Sequence, residues 1–176
     1  ANAFKGMILE TITFGDGITE IPASIFAGMT TVKNVMLGAN TKVIGEAAFM
    51  GTSISNIVFP DSVKEIKDLA FADTKITEVV LGNGTQSLSI IAFAGCQIEK
   101  FEFNGDNFII PEAMFMENTV LEEIVVGNGV VEIGEDAFNK CSNLKEVTIG
   151  NDTELVGKNA FYECTNLDSV AFGNSI

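Results

Sequence analysis

The sequence predicts an α/β solenoid, a stack of short coils that each carry one strand and one turn of helix. Three observations lead there. Phenylalanines recur at Phe4, Phe26, Phe49, Phe71, Phe93, Phe115, Phe138 and Phe161, so successive anchors lie 22 or 23 residues apart. Five or six residues after each anchor comes an apolar-x-x-apolar-x-apolar pattern whose last two apolar positions alternate, as a half-buried strand requires. Turn-forming Gly, Asn and Asp then cluster behind the strand. A unit this short cannot bury its own apolar side, whereas stacked units share one continuous core.

Each element follows in order. The strand motifs are Leu9/Ile12/Phe14, Val32/Val35/Leu37, Ile54/Ile57/Phe59, Ile76/Val79/Leu81, Ile98/Phe101/Phe103, Leu121/Ile124/Val126, Leu144/Val147/Ile149 and Leu167/Val170/Phe172. From the last residue of a motif to the next anchor the distance is always 12, so the one-residue variation falls in the link between anchor and strand. Eight strands at the usual spacing predict a parallel sheet about 35 to 40 Å long. Gly15-Asp16-Gly17, Gly82-Asn83-Gly84, Gly127-Asn128-Gly129 and Gly150-Asn151-Asp152 are turns, because Gly and Asn tolerate positive φ. Seven residues beyond the strand an aliphatic side chain always returns, as Ile21, Ile44, Ile66, Leu88, Ile110, Ile133 and Val156, and makes a second inward wall. A mostly small residue precedes each anchor (Ala3, Ile25, Ala48, Ala70, Ala92, Met114, Ala137, Ala160), and Glu46-Ala47-Ala48-Phe49 or Glu135-Asp136-Ala137-Phe138 reads as one turn of helix. The coil over residues 103–115 departs from the pattern at Asn104-Gly105-Asp106-Asn107-Phe108 and Pro111, where the rise of the stack is expected to be perturbed.

Composition excludes whole classes of function. The 176 residues carry 10 basic against 24 acidic side chains, a net charge of -14, with no His, no Trp and no Arg. That field repels phosphate backbones, and no guanidinium is present for bidentate contacts, so nucleic acid is not a partner. Without His there is no Ser-His-Asp or Cys-His catalysis and no imidazole metal site. Disorder is excluded because 47% of residues are hydrophobic and 14 are Phe, nearly all of them at core positions. Cys96, Cys141 and Cys164 each lie three residues after an anchor and share one structural position. A disulfide between Cys141 and Cys164 of neighbouring coils is geometrically conceivable, but small, inert, buried thiols are the better reading. No cofactor and no metal site is expected.

The run Ala-Phe-x-x-Cys-x-x-Leu-x-x-Val-x-Ile-Gly-Asn, returning to Ile-Gly and Ala-Phe over residues 137–161 and on through Cys164 and Leu167, resembles the BspA-like leucine-rich repeat family, also called the Treponema pallidum type. The resemblance covers essentially the whole chain. It implies a right-handed stack with a parallel sheet on the concave face and short turns or 3-10/α turns on the convex face. It also implies a surface or secreted protein that binds host or neighbouring-cell proteins, with no catalytic residues. Residues 1–176 are accordingly read as a single domain of about seven to eight repeats. Because it begins at Ala1 and stops at Ile176 inside the repeat pattern, it is expected to be a segment of a longer protein, with export signal and anchor outside it. It has no run of 18 apolar residues that would span a membrane.

Function is therefore expected on the outward strand positions. Met36, Val58, Val80 and Val125 form a partly apolar stripe that can accept a protein surface, although β-branched residues also favour a pleated sheet for its own sake. Glu78, Lys100, Glu102 and Glu123 flank it and complete the candidate face, and the acidic field of Glu78, Glu99, Glu102, Glu122, Glu123 and Glu146 favours basic partners. Two alternatives stand beside a binding module. One is a spacer or stalk that displays other domains. The weaker one is a polysaccharide-active enzyme using Glu99/Glu102 and Glu122/Glu123, which lacks an Arg, a His and an aromatic sugar platform. Asp16, Asp61, Asp106 and Asp152 recur in the turns, but without the repeat signature that binds calcium. Asn83-Gly84-Thr85 and Asn151-Asp152-Thr153 match glycan acceptors.

Overall fold

The computed structural model describes Phe4 and residues 6–173, so the small position predicted at Ala3 lies outside the described residues. The chain divides into two compact units, Ala1–Thr77 with Ser87–Gln97, and Glu78–Gln86 with Ile98–Ile176. In the first unit β1 (Thr11–Thr13) pairs in parallel with β3 (Asn34–Met36). A second wall there is a four-stranded parallel sheet of β2 (Glu20–Ile21), β4 (Val43–Ile44), β5 (Glu65–Ile66) and β7 (Ser87–Leu88). In the second unit the first wall is a five-stranded parallel sheet of β6 (Glu78–Val80), β8 (Lys100–Phe103), β10 (Glu123–Val126), β12 (Glu146–Ile149) and β14 (Ser169–Phe172). Its second wall joins β9 (Phe108–Ile110), β11 (Val130–Ile133) and β13 (Leu155–Val156).

The fold is a purely β solenoid, which corrects the α/β expectation: among the described residues there is no α or 3-10 helix. The segments read as helical turns contain a residue in the left-handed region two positions before the anchor, namely Ser24, Ala47, Leu69, Ala113, Asp136 and Asn159, with φ between 51° and 56°. A second left-handed residue follows two positions after the anchor, as at Gly28, Gly51, Asp73, Gly95, Glu117, Lys140 and Glu163. Left-handed residues alternating through the segment stop a right-handed helix from propagating.

What they permit instead is a ladder between coils. In the first unit Ala47 N–H donates to Asp68 O, Phe49 to Ala70 O and Gly51 to Ala72 O, at 2.8 to 2.9 Å. In the second unit Asp136 donates to Lys158 O, Phe138 to Ala160 O and Lys140 to Tyr162 O, at 2.7 to 3.0 Å. The intervening N–H groups close local turns, as Ala48 does on Gly45 O. Each left-handed non-glycine costs about 1 to 2 kcal/mol, and one intercoil hydrogen bond returns only about 1 kcal/mol. Burial of the anchor ring adds roughly 1.5 to 3 kcal/mol and decides the balance. Those rings stack: Phe26, Phe49, Phe71 and Phe93 in the first unit lie 5.3 to 5.8 Å apart with planes within 14°. Phe115, Phe138 and Phe161 in the second lie 5.2 to 5.9 Å apart with planes within 9°.

Two coils depart from the repeat for identifiable reasons. Ile54, Ile57 and Phe59 are buried as expected, yet residues 55–58 form no strand. Pro60 stands where Gly127, Gly150 and Gly173 donate their N–H to the preceding coil, and proline has none to give. The single eight-stranded sheet is therefore not what forms. In the second unit, the inward place eight residues before an anchor belongs to the fully buried Val130 and Thr153. In the coil of Asn104 to Phe115 that place falls to Asn107, which takes φ 57° and is exposed. Phe108 moves in opposite Val130 instead, and the β9–β11 register shifts between Val130 and Glu132.

Coil spacing also explains a glycine. A Cβ on Gly134 would come within 2.7 Å of both Ile110 O and Glu112 N of the preceding coil, whereas one on Gly17 would meet nothing within 4 Å. Gly134→Ala should therefore lower stability by about 1 to 3 kcal/mol and Gly17→Ala by less than about 1 kcal/mol, as read by urea unfolding. Equal midpoints would contradict the close approach. At Glu163, φ 56°, substitution by Val should destabilise by about 1 kcal/mol or more relative to substitution by Gly, measured as the difference in thermal midpoint.

Candidate binding face

Alternation along the first-wall strands decides which side chains reach solvent. In β6, Val79 is buried while Glu78 and Val80 are exposed. In β8, Phe101 and Phe103 are buried and Lys100 and Glu102 half-buried; in β10, Ile124 and Val126 are buried and Glu123 and Val125 half-buried. Parallel register then aligns like positions. One row of the second unit reads Glu78, Lys100, Glu123, Glu146, Ser169, and the next reads Val80, Glu102, Val125, Thr148, Ala171. The predicted stripe is thus divided: Val80 and Val125 belong to this unit with Glu102 between them, and Met36 and Val58 belong to the other.

The first unit carries different chemistry at the same positions. Thr11 pairs with Asn34 and Thr13 with Met36. Met36 and Val58, 54% and 76% exposed, border an open hollow of about 400 Å³ with Thr11, Asn34, Val35, Asn56 and Ile57. None of those side chains is charged. Nothing in the strand pattern announces the hollow, which goes with the coil that lacks a strand.

Two lysines at the first wall of the second unit hold glutamates in ion pairs. Lys100 Nζ lies 2.6 Å from Glu123 Oε1, and Lys145 Nζ lies 2.7 Å from Glu122 Oε2. The Glu123 hydrogen bond holds the Lys100 ammonium above the ordinary lysine range; burial opposes it, and the nearby charges of Glu123, Glu102 and Glu78 add to it. The Lys100 pair is about a third exposed and the Lys145 pair about half, so solvent screens both and each contributes no more than about 1 kcal/mol. The turn aspartates have structural work: Asp16 Oδ1 accepts the Ala39 N–H at 2.7 Å and Asp152 Oδ2 accepts that of Gly129 at 2.8 Å. Among the described residues no group of three or more His, Cys, Asp or Glu is placed to hold a metal ion, and no helix is long and apolar enough to cross a membrane.

The cysteines bridge coils through their protons. Cys96, Cys141 and Cys164 Sγ donate to the carbonyls of Phe71, Phe115 and Phe138 at 3.1, 3.0 and 3.2 Å, and all three are free thiols. Burial, with Cys164 nearby, pushes the Cys141 thiol up to about 12. An unfolded thiol ionises near its ordinary 9.0, so the stability this protonated group contributes is fully present below that pH and is lost as pH rises toward about 12. At pH near 8, Cys141 should react with maleimide about tenfold more slowly than the half-buried Cys96 and Cys164, read site by site by mass spectrometry. Equal labelling would contradict the buried thiol.

The family model described as BspA type leucine rich repeat region matches residues 1–121 and 108–176, in six copies. No curated protein is similar enough in sequence to match. Among solved structures, the fold is similar to a leucine rich cell surface protein from Faecalibacterium prausnitzii A2-165, with TM-score 0.51 and 20% identity over 98% of this chain and 62% of that one. It is similar also to the T. pallidum leucine rich repeat protein, with TM-score 0.51 and 22% identity over 93% of this chain and 72% of that one. The chain thus spans less than two thirds of the length of the Faecalibacterium protein.

Proposed function

The chain belongs to the BspA type leucine-rich repeat family, and from that membership we propose that it is a non-catalytic protein-binding or adhesion module of a surface or secreted bacterial protein. The ligand meets the outward positions of the first wall, Met36 and Val58 in the first unit and Glu78, Val80, Lys100, Glu102, Glu123 and Val125 in the second. The observation that carries this reading is the exposure of large apolar side chains on otherwise polar strands, Met36, Val58 and Val80 being about half exposed or more. A cell-surface setting is supported by the similar Faecalibacterium protein, which is described as one. Against an enzyme stands the use of the paired carboxylates, Glu122 being bound to Lys145 and Glu123 to Lys100. The partner is a protein of a host or neighbouring cell.

Beads coated with the whole chain should adhere to cultured epithelial cells, and Val58→Asp or Val80→Asp should cut adhesion at least about fivefold while circular dichroism and the thermal midpoint stay as in the parent. Adhesion unchanged in both folded variants would sink the proposal, and a parent that does not adhere at all would favour a spacer that displays other domains.

A further inference from the structure

The outward face of the five-stranded sheet breaks a rule of sheet stability in a way that points to its partner. Three carboxylates, those of Glu123, Glu102 and Glu78, already act on the single ammonium of Lys100. One strand further along, Glu123 stands in register with Glu146, about 4.8 Å away along the ladder, and like charges so placed destabilise a sheet. Among the described residues Glu146 joins no salt bridge. In the adjoining row Val80 and Val125 present apolar surface on either side of Glu102. With Glu123 held by Lys100 and Glu146 by no salt bridge, the conflict is only half compensated inside the molecule, and exposed local conflicts of this kind are expected at surfaces shaped for a ligand.

We propose, resting on the binding-module reading above, that this face docks a basic, extended polypeptide segment. A lysine or arginine of the partner seats between Glu123 and Glu146 and relieves their repulsion, as Lys100 does between Glu123 and Glu78. Alternate apolar side chains of the segment rest on Val80 and Val125. The choice of a cationic occupant follows from charge complementarity: the row from Glu78 to Ser169 and its neighbour from Val80 to Ala171 contain four carboxylates and one ammonium. Five strands span about 19 Å, the reach of about six extended residues, so a short linear segment suffices. The uncharged hollow of the first unit offers such a partner no counter-charge.

The test uses the whole chain and two fluorescent eight-residue peptides, one alternating lysine with valine and one alternating glutamine with valine, read by anisotropy. The lysine peptide should bind about tenfold more tightly than the glutamine peptide and weaken about tenfold between roughly 50 and 300 mM NaCl. Glu146→Gln alone, which touches no salt bridge, should weaken it at least about threefold, and Glu123→Gln with Glu146→Gln at least about fivefold. Removing the same charge elsewhere, through Glu132→Gln with Glu154→Gln on the second wall, should change binding less than about twofold. No preference for the lysine peptide, or equal losses in the two double variants, would overturn the assignment. Adhesion lost in Val80→Asp without any lysine preference overturns the basic segment and leaves the binding module standing.

Discussion

Backbone N–H groups that point from one coil to the next constrain almost every other choice in this chain. At the corners of Phe26, Phe49, Phe115 and Phe138 the groups two before, at and two after the anchor phenylalanine donate to the following coil, as Ala47, Phe49 and Gly51 do. That direction is available only if left-handed and right-handed residues alternate, so glycine, aspartate and asparagine collect there and even Leu69 is held at φ 56°. The same coil spacing excludes a Cβ at Gly134, and it brings successive Phe rings to a stacking distance of 5 to 6 Å. Coils built this way cannot form a helix at the corner, because the N–H groups a helix would use internally are already bound to a neighbour.

The sequence made the inward positions legible and the corners illegible. The 22 to 23 residue period and the strand motif locate the side chains that become Phe101, Val79 and Ile124 in the core, and the aliphatic position at Ile44 or Ile133 marks the second wall. Glu46-Ala47-Ala48-Phe49, in contrast, has good local helix propensity, and tertiary hydrogen bonding overrode it. The signal that a corner is left-handed was present in Gly28, Gly51 and Gly95, all two residues after an anchor, but the later coils put Glu117, Lys140 and Glu163 at that position and hide it. The break at Pro60 was readable in principle, since a residue without an N–H cannot continue a ladder. The shift of Phe108 into the place Val130 holds was not, because it depends on Asn107 adopting a conformation that composition allows but does not require.

On the candidate face, period-two alternation placed the outward residues, and the register now says which of them are neighbours. Glu102 separates Val80 from Val125, and Lys100 lies between Glu78 and Glu123. Neither relation follows from one strand alone. The hollow beside Met36 and Val58 goes with the coil that keeps its buried residues while losing its strand.

Stability alone does not account for what remains outward. Core positions and backbone groups are committed to stacking, while an exposed substitution on such a scaffold typically shifts stability by only about 0.5 kcal/mol, so the outward rows can vary at little cost to the fold. If they were tuned for stability, lysine and glutamate would alternate along the row, as Glu78, Lys100 and Glu123 begin to do. The row instead continues to Glu146 and places like charges in register, and its ion pair, Lys100 with Glu123, contributes no more than about 1 kcal/mol against that repulsion. A repeat fold whose coils are tied to one another by backbone hydrogen bonds can tolerate that cost.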